Sequence, residues 1–533
     1  MPSLALNPRS YAIQKPRLPP LDVLSPSSTS FHPIMTWPHL PSEVLENILT
    51  YLDLASIKAL RLVHRELGVR CLGPHFVHHL RASTDLTRDN LASLDALGQN
   101  PVLRQHIHEL TILGVYYAAD EANVRLGRQP SPNDWREWDW TAPNLESDAD
   151  WLEKQRAAQE ELSSEDVTSL LAGTLQRFKS TSLKRIRLDV SVVLGPSMRT
   201  NTRHGVWLET WTTASKVYKM TLDAIAKSGI DITHLDIYRQ TPNCAVFLSN
   251  YTQVGGLDLK AIGATLQNLQ LSLCTDVDDG TWEWEYGRET DSKVIDRTFG
   301  HVVELPRGNK PQAIPGLIQL LQATPNLRHL DLHLYHFPVD CDAYHFVLTA
   351  LADQVTFPHL QSLALSGFPV TEASLLRFLS THATLESLTL QEIHIVQGTW
   401  TPVFTCINNM TSLTMVHLAS LWWTVGETPP SDDAGPIPAP RKLVNLHTTW
   451  DETDPITPSK RFPQDGGDHF FANPDNYIVH RRSFCAEDLR RGLVFRPTPK
   501  AGMGSARRNA WKNHRREIYG PPDFNLLVPP RRG

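Results

Sequence analysis

The stretch Leu360-Gln361-Ser362-Leu363-Ala364-Leu365 carries the pattern L-x-x-L-x-L, which decides how most of this chain folds. The pattern recurs in aliphatic form at residues 107–112, 183–188, 232–237, 266–271, 327–332, 385–390 and 413–418. In a short strand the two leucines of L-x-L point to one face, and the residue between them points to the other. We therefore predict a strand at each copy, with its leucines turned inward.

Helix-like stretches lie between these strands, for example at residues 316–323 and 373–379. The last three copies begin at residues 360, 385 and 413, and their spacing falls within the roughly 20–29 residues of a leucine-rich repeat. A strand and a helix cannot bury their apolar edge alone, so such units stack on one another. Residues 100–425 thus resemble an irregular leucine-rich-repeat solenoid with parallel strands and long insertions. The alternative is a general α/β domain with parallel strands.

A second pattern, of helical period, begins at Trp37 and runs to Asp53. Val44, Leu45, Ile48, Leu49 and Leu52 share one helical face. Pro41 suits the first turn of this helix because its missing N–H would have no partner there. Asp53 can cap a second helix, and a third short helix can start near His64. So small a unit has a marginal core, and its surplus of apolar surface indicates a partner.

The order Leu40-Pro41-x-Glu43-Val44-Leu45-x-x-Ile48-Leu49-x-x-Leu52, followed by Leu60-Arg61-x-Val63, resembles an F-box. The resemblance implies a three-helix F-box over residues 35–80. It also implies docking on the Skp-type adaptor of a cullin-based ubiquitin ligase. We expect the docking surface to be drawn from nine residues, some of which must instead hold the three helices together: Leu40, Pro41, Val44, Leu45, Ile48, Leu49, Leu52, Leu60 and Val63. The alternative is an ordinary amphipathic helix pair that belongs to a larger core.

Composition sets the broad class of the protein. Apolar residues make up 41% of the 533 residues, enough for a sizeable core, and no run approaches the length of a membrane-spanning helix. The six cysteines contain no CxxC pair, which argues against a disulfide scaffold and a zinc site. We expect an intracellular protein of the cytoplasm, the nucleus or both, without a membrane partner.

The two ends of the chain differ in charge from its body. Residues 1–34 are rich in Pro and Ser, and we expect a disordered leader. Residues 426–533 are predicted to be a Pro-rich, basic and partly disordered extension, with 13 Lys and Arg against 4 Asp and Glu after residue 480. Such a tail can bind polyanions or act as a nuclear import signal. We favour a solvated extension and do not expect nucleic acid as a partner.

An acidic, Trp-rich insertion is predicted at residues 120–166, with 13 Asp and Glu against 5 Lys and Arg. Its tryptophans are Trp135, Trp138, Trp140 and Trp151, and a second cluster contains Trp282 and Trp284. Exposed tryptophans beside acids could recognise a basic partner. We favour the alternative that these rings pack their own loops onto the repeat region, because Trp is usually buried.

Metal or catalytic chemistry has little support in the sequence. His329, Asp331 and His333 share one face of a predicted strand and are possible metal ligands, but a polar stripe is the expected default there. The sequence contains no phosphate-binding loop, HExxH helix, GxSxG elbow or GxGxxG turn. We therefore expect neither an enzyme nor a cofactor.

Two functions follow from these patterns. The first is a substrate-recognition adaptor of a Skp–cullin–F-box ligase, with the repeat region binding an unknown protein substrate. The second is a leucine-rich-repeat scaffold without a ligase, in which the three helices cap the exposed end of the repeats. Replacing Leu45 and Ile48 by Asp should abolish adaptor binding only in the first case.

Overall fold

The computed structural model describes residues 40–73, 82–128, 144–200, 207–242, 244–248, 250, 257–274, 314–335, 344–424, 441–449, 470–471 and 477–496. These residues fall into two compact units, one of residues 40–73 and one of those from 82 onward. The predicted leader at 1–34 and the Trp282–Trp284 cluster lie outside the described residues.

The first unit consists of three short helices: α1 (Ser42–Leu49), α2 (Leu54–Val63) and α3 (Arg65–Arg70). The sequence pattern predicts three helices here, with Asp53 as the cap of the second. The Asp53 carboxylate accepts a hydrogen bond of 2.7 Å from the Ser56 backbone N–H, which confirms that cap.

The second unit mixes helices with a large sheet. Its helices are α4 (Arg88–Gln99), α5 (Ala119–Arg125), α6 (Leu145–Glu160), α7 (Ser164–Arg177), α8 (Trp207–Ser228), α9 (Leu259–Gly263), α10 (Pro315–Gln322), α11 (Phe346–Gln354), α12 (Glu372–Thr381), α13 (Trp400–Asn409) and α14 (Ala486–Arg491). A 3₁₀ turn covers Leu103–His106. Helices α10 and α12 confirm the two helical stretches predicted between strands.

The strands of the main sheet follow one another almost entirely in chain order. They are β1 (Ala82–Thr84), β2 (Glu109–Tyr117), β3 (Arg185–Gly195), β4 (Met198–Thr200), β5 (His234–Ile237), β6 (Val246–Phe247), β7 (Asn268–Cys274), β8 (His329–Tyr335), β9 (Ser362–Ser366), β11 (Ser387–Gln391), β13 (Met415–Ala419) and β18 (Arg481–Cys485). Each of the eight L-x-x-L-x-L copies contributes a strand, and the strands from β1 to β13 that form the spine of the sheet are parallel. The prediction of a parallel-strand sheet is therefore confirmed.

The inward leucines lie in register from strand to strand. Leu363 of β9 is level with Leu388 of β11, and Leu365 is level with Leu390. These side chains are at most 1% exposed. Burying an aliphatic side chain contributes roughly 1.5–3 kcal/mol, so each additional strand strengthens one continuous core.

A smaller sheet, not predicted from the sequence, runs beside the main one. It contains β10 (Pro369–Thr371), β12 (His394–Gln397), β14 (Trp422–Thr424) and β15 (Arg441–Leu443). In the three parallel units the chain turns from one sheet to the other at a residue with positive φ, namely Gly367, Glu392 and Ser420. Only glycine adopts positive φ without steric strain, yet two of these three positions carry Glu and Ser. Neither the periodicity of apolar residues nor a glycine at each position therefore marks the turn in the sequence.

Part of the predicted C-terminal extension belongs to these sheets. Strand β18 pairs antiparallel with β13, and β15 pairs antiparallel with β14, so the segment completes both edges. Arg482 is only 6% exposed and donates to the Leu446 carbonyl and the Thr448 hydroxyl. A short antiparallel pair of strands, β16 (Phe470–Phe471) and β17 (Tyr477–Ile478), precedes it. One of the basic residues of the extension is thus a structural one.

Candidate functional site

The helical unit begins with a turn that Pro41 organises. Its carbonyl accepts hydrogen bonds from the backbone N–H groups of Val44 and Leu45, at 3.1 and 3.0 Å. Glu43 lies in the first turn of α1, where a negative charge is favourable to the helix dipole. Leu45 and Leu49, on one face of the helix, are both fully buried.

Helices α2 and α3 meet at a tight corner at His64. His64 is extended, and its Nδ1 accepts the Glu66 backbone N–H at 3.2 Å, so it caps α3. The Arg61 side chain donates from Nε to the Gly68 carbonyl at 3.1 Å. A Cβ atom on Gly68 would lie 3.2 Å from the Arg61 carbonyl oxygen, which is why this close approach favours a glycine.

Five side chains form the small core of this unit: Leu45, Leu49, Ile57, Leu67 and Cys71. Burial raises the pKa of the Cys71 thiol, which is consistent with a packing role. Arg70 closes the unit by donating from its guanidinium to the Leu40 carbonyl. Such a core holds the helices together but uses few of the apolar residues available.

The structure divides the nine predicted docking residues into three groups. Leu45 and Leu49 are buried in the core of the unit itself. Four residues are partly exposed, namely Leu40, Ile48, Leu52 and Leu60. The remaining three, Pro41, Val44 and Val63, are exposed. The sequence does not separate the core residues of α1 from its surface residues, because both kinds are aliphatic and share a helical face.

Three exposed apolar residues were missing from the prediction. Tyr51 is 83% exposed, Leu62 is 88% exposed and Val69 is 69% exposed. Leu62 lies beside Val63, which is 75% exposed, and both are turned away from buried Ile57 on α2. One feature of the sequence indicates the exposure of Leu62: it falls outside the i, i+3 series that contains Ile57 and Leu60.

We name Val44, Tyr51, Leu62, Val63 and Val69 the exposed apolar set. Isolated apolar residues on a surface are ordinary, but five large ones within so short a unit are not. Their exposure favours burial against another protein.

Comparison with known proteins identifies this unit. Residues 37–76 match the family model of the F-box domain. The chain carries an F-box. An F-box domain implies docking on a Skp-type adaptor, and F-box proteins generally act as adaptors rather than as enzymes. No curated protein matches the chain at a significant level.

The outward face of the main sheet offers a second candidate surface, separate from the F-box. Across β2 to β8 this face carries charged residues, and several of them form ion pairs. Arg185 meets Glu109 at 3.2 Å, and Arg239 meets Asp331 at 2.8 Å. A face whose charges compensate one another recognises shape and polarity more than net charge.

Asp236 is the most deeply buried carboxylate of this charged region. It lies in register between Arg187 on β3 and Gln270 on β7, and its Oδ1 accepts the Arg239 backbone N–H at 2.9 Å. Burial raises the pKa of Asp236 to about 6, although the Arg239 N–H and the Arg187 guanidinium favour the charged form.

From β9 to β13 the same face is uncharged apart from one imidazole. Its accessible outward residues are Ser362 and Ala364 on β9, Ser387, Thr389 and Gln391 on β11, and Met415 and His417 on β13. Ser366 and Ala419, at the ends of their strands, are buried. Met415 is 55% exposed. Small hydroxyl side chains leave room for a partner to approach the sheet closely.

The structure gives the His329–Asp331–His333 stripe other contacts. His329 is exposed, Asp331 is held by Arg239, and His333 is buried and stacks on Tyr335 with ring centroids 4.2 Å apart. Within the described part of the chain no group of three His, Cys, Asp or Glu is placed to hold a metal ion. None of the helices described there is long and apolar enough to cross a bilayer.

Trp151 is the one tryptophan of the acidic insertion that the described residues include. It lies on α6 and packs edge-on against Tyr117 with ring centroids 6.3 Å apart. That contact agrees with a packing role for this ring. Trp135, Trp138 and Trp140 lie outside the described residues.

Proposed function

We propose that this protein is a substrate-recognition adaptor of a Skp–cullin–F-box ubiquitin ligase, acting in the cytoplasm, the nucleus or both. The exposed apolar set of the F-box would dock on a Skp-type adaptor, and that adaptor would connect to a cullin. Ubiquitin transfer would belong to other subunits. The observation that carries the proposal is the exposure of Leu62 and Val63 in a domain of the F-box family.

We further infer that the sheet region is an irregular leucine-rich-repeat solenoid that binds a protein substrate. Its support is the parallel order of strands along the chain and the recurring turn after them. Gly367, Glu392 and Ser420 each stand two residues beyond the second leucine of their strand and each has positive φ. The Gly367 and Glu392 backbone N–H groups donate to carbonyls of the next unit, Gln391 and Ala419, at 3.0 and 2.8 Å. Ser420 makes the corresponding bond, at 2.7 Å, to the His480 carbonyl of the C-terminal segment.

Adaptor docking is tested by binding of the full chain to a purified Skp-type adaptor. The informative variant combines Leu62→Asp with Val63→Asp, because both side chains are exposed and the helices should stay folded. Wild type should bind and this variant should not. The pair Leu45→Asp and Ile48→Asp is less informative, because Leu45 belongs to the core and its replacement would unfold the domain.

A matched control combines Val102→Asp with Leu170→Asp. These aliphatic residues of the other unit are 51% and 44% exposed, so the chemical change and the added charge are the same. The control should bind like wild type. Failure of wild type to bind at micromolar concentration would leave the scaffold without a ligase as the better description.

Substrate binding is tested separately, by identifying the proteins that co-purify with the Leu62→Asp and Val63→Asp variant. This variant serves as a substrate trap, because it should bind substrates without presenting them to the ligase. Proteins retained by the trap should be lost when Ser387→Arg and Thr389→Arg crowd the outward face of β11. A control with Ser93→Arg and Thr405→Arg, at exposed helical positions, should retain them. Retention by both variants would place substrate binding elsewhere.

A further inference from the structure

Helices α5 and α6 pack as a pair over the carboxyl-terminal ends of β2 and β3. An apolar cluster holds them there, and its buried members are Val115, Tyr117, Ala118, Ala119, Ala122, Ala149, Leu152, Val192, Val193 and Leu194. The fully buried contributions from the helices are mostly alanines, and Leu145 and Trp151 add partly buried contacts. Polar contacts beneath the α5–α6 pair act beside this apolar attachment and can decide how tightly the pair is held.

One buried carboxyl group lies within that attachment. Glu121 in the first turn of α5 is only 8% exposed. Both of its carboxyl oxygens face the single hydroxyl of Tyr116 on β2, at 3.0 and 3.1 Å. Among the described residues no Lys, Arg or His forms an ion pair with Glu121. A buried carboxylate with one O–H donor and no cation is poorly solvated.

The charged groups that surround Glu121 do not compensate it. Glu209 on α8 and Asp120 on α5 both disfavour a negative charge on Glu121. The basic residue of α6 on this side, Arg156, is engaged by Asp120 at 2.9 Å and by Glu153 at 2.7 Å. Glu153 also accepts a hydrogen bond of 2.8 Å from Asn123.

We propose that Glu121 is a pH-sensitive clasp: its protonated form holds the α5–α6 pair on the sheet, and its ionisation loosens the pair. A protonated carboxyl both donates and accepts hydrogen bonds and carries no charge into the apolar contact. An ionised one must stay buried beside Glu209 with only the Tyr116 hydroxyl and its own backbone N–H as donors, or move outward to water and take α5 with it.

The ionisation falls in the physiological range. Burial raises the pKa of Glu121 to about 7, with Glu209 and Asp120 acting in the same direction, while its own backbone N–H and the Tyr116 hydroxyl oppose the shift. Burial also raises the pKa of Tyr116, so that hydroxyl keeps its proton. The raised pKa of a carboxyl group means that attachment is firmest below about pH 4.5, weakens up to pH 7 and changes little above it.

Hydrogen exchange of the full chain, read by mass spectrometry and corrected for the intrinsic pH dependence, tests the clasp. In peptides that cover α5 and α6, the equilibrium constant for local opening should increase about 20-fold from pH 5.5 to pH 7.5. An increase of that size follows from the raised pKa of Glu121. Glu121→Gln, which is neutral at every pH, should keep these helices protected throughout. Glu160→Gln, at an exposed position of α6, should behave like wild type.

Two further variants keep the test decisive if Glu121→Gln folds poorly. Glu209→Gln removes a repelling charge and should move the transition to lower pH. Tyr116→Phe removes the donor to the ionised form and should move it to higher pH. A wild-type profile that stays flat between pH 5.5 and 7.5, or a Glu121→Gln profile as steep as wild type, would overturn the clasp.

Discussion

The F-box and the sheet region cover their apolar residues very differently. Ten large apolar side chains are notably exposed among the described residues, and half of them lie in the short stretch 40–73. The other five are spread over the much longer sheet region. Three helices have too little interior to hide their aliphatic residues, whereas each new strand and helix of the sheet region buries the edge of the one before it.

The difference teaches that similar leucines have opposite roles in the two regions. In β11 the two leucines of the L-x-L pattern, Leu388 and Leu390, are fully buried and stabilise the fold. In α2 a leucine of the same chemistry, Leu62, is almost fully exposed and is available to a partner. Substitutions at the two kinds of site should therefore separate stability from binding.

The largest effect is expected for Leu49→Asp in the F-box core. Leu49 is fully buried, and an unpaired charge there should cost more than about 4 kcal/mol, enough to unfold a marginal three-helix domain. Hydrogen exchange should show lost protection in residues 40–73. Peptides from β8 to β13 provide the internal control, and protected F-box helices in this variant would contradict the core assignment.

A smaller loss is expected for Leu388→Ala in β11. Leu388 is fully buried between its neighbours on β9 and β13, and the cavity should cost about 2–5 kcal/mol in the free energy of unfolding. Guanidinium unfolding measures this loss. Thr389→Ala, at the adjacent outward position, is the control and should stay within about 0.5 kcal/mol of wild type. Equal losses at both positions would mean that inward and outward faces are misassigned.

His382 should give a further, pH-dependent effect. Its Nε2 accepts the Phe357 backbone N–H at 3.0 Å, and its Nδ1 donates to the Phe378 carbonyl at 2.7 Å. His382→Ala leaves those buried groups without partners and should cost about 1–3 kcal/mol at pH 7.5.

The sign of the pH effect follows from the state of the imidazole. Burial lowers the pKa of His382 below its usual 6.5, although the Phe378 carbonyl favours the charged form. The folded protein thus holds a neutral ring, and the stability this gives is complete above pH 6.5 and lost as pH falls below it. The free energy of unfolding, measured at pH 7.5 and 5.5, should differ less between wild type and His382→Ala at the lower pH. A constant difference would contradict this assignment.

The smallest change in stability is expected for Leu62→Ser. An exposed side chain contributes little to folding, so the unfolding free energy should move by no more than about 0.5 kcal/mol. Affinity for a Skp-type adaptor should nevertheless fall roughly 30-fold or more, as for a central interface residue. Leu170→Ser is the control for both measurements. A stable variant with wild-type affinity would remove Leu62 from the docking surface.

Much of this architecture could be predicted from local patterns in the sequence. The L-x-x-L-x-L copies located the strands from β2 to β13 along the main path, because strand periodicity is a property of a few consecutive residues. The Leu40-Pro41-x-Glu43 opening located the F-box for the same reason. The edge strand Arg481–Cys485 was missed, because its basic composition resembles a solvated tail.

The amino-acid sequence by itself determined which segments would be helices and strands and that a three-helix motif of the F-box kind would be present. Only the tertiary structure decided which aliphatic residues became core and which stayed exposed, as the contrast between Leu49 and Leu62 shows. It also decided that Glu121 would be buried against Tyr116 and that Arg482 would join the interior. Exposure depends on which distant segments arrive to cover a side chain, and the pattern of its neighbours along the chain does not contain that information.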